Sequence, residues 1–107
     1  MTDERQSRFQ WESNLERGFR VFHGANPHVY EKLREFALQA RQSGRKHLGI
    51  AAVFERLRWW ASFEVTGDEF KLNNNWRAFY ARMLMEQEPE LAGFFEVRKS
   101  VADVRAA

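Results

Sequence analysis

Three histidines, His23, His28 and His47, are the only side chains of this chain whose unperturbed titration falls near neutral pH. Metal or acid-base chemistry would need them paired at close spacing, yet His23 and His28 straddle Gly24 and Pro27, so one helical face cannot present both as a zinc pair. They read as surface or capping residues. The acids group at Asp68-Glu69 and at Glu86, Glu88 and Glu90 without a neighbouring His or Lys partner, which is the pattern of solvated faces and turns. No phosphate-binding loop, dinucleotide-binding glycine pattern or nucleophile elbow occurs, and the absence of cysteine removes disulfides, thiolate catalysis and Cys-ligated zinc. The expectation is a protein with no catalytic residue, metal ligand or cofactor.

The segment with the most chemical content runs from Lys71 to Met83, where Asn73, Asn74 and Asn75 lead into Trp76-Arg77-Ala78-Phe79-Tyr80-Ala81-Arg82. At helical spacing Trp76, Phe79, Tyr80, Met83, Leu84 and Gln87 share one stripe, while Asn74, Ala78, Ala81 and Met85 face the other way between Arg77 and Arg82. A low alanine spine edged by arginine can enter the major groove, where Arg reads guanine and Asn reads adenine. Two other readings of the same residues stay open. Asn73 and Asn74 cap the helix and the arginines are merely solvated, or the helix is buried on two faces, with Ala78 and Ala81 marking close packing and Met85 in the core.

These side chains have to be positioned by helices. Trp11, Leu15, Phe19 and Phe22 line one face of a first helix over about Asp3 to Phe22, closed by His23-Gly24. Asn26-Pro27 then supplies a capping side chain and a first-turn proline for a second helix, which runs to about Gln42 and stops at Ser43-Gly44. Beyond the basic connection Arg45-Lys46-His47-Leu48-Gly49, a third helix spans Ile50 to Phe63. Trp59 and Trp60 cannot share one of its faces, so at least one packs on a neighbour or stays partly exposed. Thr66-Gly67-Asp68 is a turn signal. A fourth helix spans Asn74 to Gln87, stopped by Pro89, and Phe95-Glu96-Val97-Arg98 alternates like a short C-terminal strand.

The fold class expected is therefore mainly α, a four-helix single domain over residues 1–107 with a helix-turn-helix-like core. Its parts are an aromatic N-terminal helix (3–22), a helical core (27–87) and a frayed tail (100–107). Ten Phe, four Trp and two Tyr within a 44% apolar composition supply a core for one domain. No apolar run approaches the roughly 20 residues that cross a bilayer, and the acidic, polar start Met1-Thr2-Asp3-Glu4-Arg5 does not resemble a secretory signal. A cytoplasmic setting is expected. The net charge is only +2, but residues 28–60 and 71–85 together carry an excess of about seven positive charges, balanced by acids in 61–70 and 86–107.

Across Asn26-Pro27-His28-Val29-Tyr30, Leu48-Gly49-Ile50 and Phe70-Lys71-Leu72-Asn73-Asn74-Asn75-Trp76-Arg77-Ala78-Phe79-Tyr80-Ala81-Arg82, the chain resembles small phage and prophage proteins of unknown function. The resemblance covers about Asn26 to Ser100 and brings no residue roles with it. It implies a genomic setting in which small proteins bind DNA as regulators or bind and block a host protein or nucleoprotein.

Two functional expectations follow. The first is a DNA-binding protein related to helix-turn-helix domains, contacting DNA through Arg45, Lys46, Lys71, Asn73, Asn74, Asn75, Arg77 and Arg82. The connection between its last two helices is longer than the few residues usual for that motif. The second is a protein-binding module, such as an inhibitor of a host defence complex or a homodimer, using the aromatic face of Phe9, Trp11, Leu15 and Phe19.

Overall fold

The computed structural model describes residues 4–64 and 72–96, with side chains of residues 14–63 and 72–96. Helix α1 (Glu4–Ala25) meets α2 (Pro27–Gln42) across the single residue Asn26. Gly24 stays helical and the break comes two residues beyond it, because Pro27 has no N–H to continue the ladder and disfavours a helical residue before it. The Asn26 side chain serves α1: Nδ2 and the backbone N–H both donate to the Phe22 carbonyl, at 3.1 and 2.9 Å, while only the Asn26 carbonyl serves α2, accepting from the Val29 N–H at 3.0 Å. The capping role expected for its side chain at the start of α2 is thus corrected.

At the far end of α2 the expected stop at Ser43-Gly44 is present. Gly44 takes φ +104°, a conformation that only glycine adopts without strain, and the Ser43 hydroxyl donates to the Ala40 carbonyl at 2.7 Å. The chain then reverses into α3 (Ile50–Glu64). Lys32 sits over the Trp60 ring, Arg56 over the Phe36 ring, and Ala40 beside Ala52, so each step of four residues along α2 matches four back along α3. The two helices form an antiparallel hairpin.

A 3₁₀ turn (Asn74–Trp76) leads into α4 (Arg77–Gln87), a turn later than the start expected at Asn74. Asn73 caps the turn by accepting from the Asn75 N–H at 2.9 Å. A second 3₁₀ turn (Pro89–Leu91) and Gly93 at φ +71° return the chain beneath the hairpin. There the Leu48 N–H donates to the Phe94 carbonyl at 3.1 Å and Phe95 forms an isolated parallel bridge with Leu48. The described residues thus hold four helices and no sheet; of the expected strand, Phe95 makes only this bridge, and Val97 and Arg98 lie outside the described residues. The turn signal at Thr66-Gly67-Asp68 and the tail at 100–107 also lie outside them.

The buried side chains form one cluster drawn from all four helices and the C-terminal turn. Tyr80 stands at its centre with its ring against Phe19, His23 and Phe54. Phe19 also stacks on Phe79 at 4.9 Å, and Phe22 on Trp76 at 4.3 Å, which fastens the second half of α1 to the start of α4. Where α2 meets the end of α4, Arg34 Nε donates to Glu88 Oε1 at 2.7 Å and the Tyr30 hydroxyl donates to the same oxygen at 3.4 Å.

Candidate functional site

A helix that reads a groove must show a face to solvent, and α4 shows none from Arg77 to Met85: every residue there is buried or half-buried. Ala81, expected on the outer spine, is 0% exposed, and Ala78 and Met85 are half-buried. The small alanines let neighbouring elements close over that side, so the helix is buried on two faces. The outward spine is corrected accordingly.

The residues expected to contact DNA are held by different parts of the fold. Asn73 is spent on its cap, and Asn74 Oδ1 accepts from Arg58 Nη2, which also donates to the Leu72 carbonyl at 2.9 Å. Arg77 Nε donates to the Asn74 carbonyl at 3.1 Å, and Arg82 lies 3.8 Å from Glu86. Asn75 is exposed. Arg45 and Lys46 are exposed in the α2–α3 turn, while the asparagines are held by Arg58, eight residues and about 12 Å along α3 from Ile50. Lys71 lies outside the described residues.

Of the aromatic face expected to meet a partner, Phe19 is only 5% exposed and belongs to the protein's own core, which corrects its assignment to a contact surface. Leu15 is half-buried, and the side chains of Phe9 and Trp11 lie outside the described ones.

The exposed aromatic surface is elsewhere, on α3. Trp59 is 64% and Phe63 67% exposed, and their rings lie 5.1 Å apart, one turn from each other. Ala52 and Arg56, both exposed, continue the same line, and the four positions fall within about 60° of helical arc and about 16 Å of length. Trp60 points instead toward α2, under the Lys32 ammonium at 4.7 Å. The spacing of 52, 56, 59 and 63 carried this signal. It is masked in the sequence by the stronger stripe of Ile50, Val53, Phe54 and Leu57 that builds the core.

Beside this line, between α2 and α3, lies a groove of about 320 Å³ with Phe36, Ala40, Leu48, Ala52 and Val53 as its apolar lining and Gln39 and Arg56 as its polar members. The Arg56 guanidinium lies over the Phe36 ring at 4.8 Å from its centroid, and Arg56 is exposed. The Arg45 N–H donates to the Ala40 carbonyl at 3.4 Å, which ties the basic turn to a residue that lines the groove. Arg41, Arg45, Lys46 and Arg56 have no carboxylate partner among the described residues, whereas the nearby Glu35 and Glu55 are already paired, with Lys32 at 3.0 Å and with Arg58. The groove therefore sits in a net positive rim.

No group of acids and histidines that could hold a metal ion occurs among the described residues, and no described helix is long and apolar enough to cross a membrane. Compared with known protein families, curated proteins and solved structures, the chain shows no match.

Proposed function

We propose that this protein is a protein-binding module whose contact surface is the outward face of the α2–α3 hairpin. The observation that carries this is the exposed pair Trp59 and Phe63 on one face of α3. Two large aromatic rings left in water forgo burial worth roughly 1.5–3 kcal/mol each, and Trp and Arg are the residue types that anchor protein interfaces. Arg56 on the same line completes that combination.

A nucleic-acid reading is supported by a different observation, the four cations Arg41, Arg45, Lys46 and Arg56 without carboxylate partners. On that reading contact runs through the α2–α3 turn and not through α4. It is the weaker of the two, because Glu31, Glu35 and Glu55 stand exposed among those cations and oppose a continuous phosphate backbone.

The test is affinity capture from host lysate with the wild-type chain and a Trp59→Ser/Phe63→Ser variant side by side, with light scattering on both. A partner, or a second copy of the chain, held by wild type and released by the variant supports the proposal. Retention by both proteins sinks the assignment of the face. Recovery of nucleic acid that salt removes, as counterion release requires, favours the second reading.

A further inference from the structure

The groove and its rim specify the chemistry of the partner more narrowly than the aromatic pair does. We infer that the hairpin takes an acidic amphipathic helix, which lays apolar side chains on Trp59 and Phe63 and into the groove over Phe36 and Val53 while its carboxylates meet Arg56 and the Arg45-Lys46 turn. This rests on the reading of the α3 face as a protein-binding surface.

Three features lead to that occupant. The line from Ala52 to Phe63 is straight and about 16 Å long, which matches three turns of a helix laid along it. The groove lining is apolar, and at about 320 Å³ it accommodates side chains, with the small Ala40 and Ala52 leaving the space. The charge is complementary to an acid: Arg56 lines the groove with no carboxylate of its own among the described residues, and Arg41, Arg45 and Lys46 follow at the turn tied to Ala40. Arginine held over an aromatic ring offers its guanidinium edge for bidentate contact with a carboxylate.

A polyanion fits less well. Glu31, Glu35 and Glu55 are exposed on the two helices of the hairpin, interspersed with the cations, and would repel a continuous phosphate backbone, whereas separate carboxylates can be placed to meet separate cations. Electrostatic complementarity of this kind sets which partner is chosen more than how tightly it binds.

The experiment titrates the full isotope-labelled chain by NMR with two synthetic helical peptides that share a leucine face and differ only in carrying Glu or Lys at its flanks. A single-stranded oligonucleotide forms a third arm. The Glu peptide should shift the amides of Gln39, Ala52, Val53 and Arg56 together with the Trp59 indole, and bind about tenfold or more tightly than the Lys peptide. Arg56→Glu should abolish that preference and Arg56→Lys should keep part of it, with far-UV circular dichroism unchanged in both. Ala52→Trp, which fills the groove without changing charge, should weaken the Glu peptide.

Equal binding of both peptides at Trp59 and Phe63, insensitive to Arg56→Glu, would overturn the acidic partner while leaving the protein-binding face standing. Failure of both peptides to perturb Trp59 and Phe63 would overturn the two together. Preference for the oligonucleotide, or self-association through Trp59 that excludes the peptides, would also overturn the inference.

Discussion

Both tyrosines of the chain are withdrawn from water, and their hydroxyls carry readable consequences. Burial, and after it the neighbouring Glu88 carboxylate, pushes Tyr30 up to about 12, and burial raises Tyr80 further. Both groups hold their protons more tightly folded than unfolded. The stability they contribute is complete below pH 10, the ordinary tyrosine value, and is lost as pH climbs through the folded value of Tyr30. An ultraviolet titration should therefore show little tyrosinate in the folded protein at pH 10 to about 11, where free tyrosine already ionises, and tyrosinate should appear at lower pH in Glu88→Gln, which removes the charge beside Tyr30. The Tyr80 hydroxyl and His23 Nδ1 are buried without a hydrogen-bond partner among the described residues. Since removing an unsatisfied hydroxyl costs no bond, Tyr80→Phe should leave the melting temperature unchanged or raise it.

At the scale of elements, two glycines that look alike in the sequence do opposite work. Gly24 lies within α1, where an added Cβ would meet nothing within 4 Å, so Gly24→Ala should stabilise by roughly 0.5–1 kcal/mol through helix propensity. Gly44 also has open space around it, but its φ of +104° excludes a side chain, and Gly44→Ala should destabilise by about 1–2 kcal/mol. Urea denaturation of the two variants checks the signs. The helices themselves are legible in the chain: the apolar periods place all four, and Ser43-Gly44 ends α2. The α1 boundary was not, because a helical glycine and a helix-ending one differ only in backbone angle, and it is Pro27 that decides here. Asn26 shows the same limit, since an asparagine between two helices offers its side chain to whichever one the fold brings within reach.

Across the whole molecule, the proposed contact surface and the core are separable, and stability should show it. Trp59→Ser/Phe63→Ser alters side chains that are mostly in water and should change unfolding free energy by less than about 0.5 kcal/mol per site, whereas Leu84→Ala, at 0% exposure, should cost about 2–5 kcal/mol. Chemical denaturation measures both, and a large loss in the surface variant would show that the aromatic pair serves the fold. By itself the sequence determined a mainly helical chain with one aromatic-rich core and the approximate extent of four helices. These follow from period, capping and composition, which act over a few residues. Only the tertiary structure decided which face of each helix is covered. Alanines and arginines on α4 read equally well as a groove-reading edge or as a close-packed interior; Ala81 is buried, while Arg77 and Arg82 stay half-buried. Of Trp59 and Trp60, which cannot share a face, it is Trp59 that stays outside with Phe63, because α2 and α4 occupy the other sides of α3. Burial depends on neighbours far away in the chain, and no local pattern records where those neighbours stand.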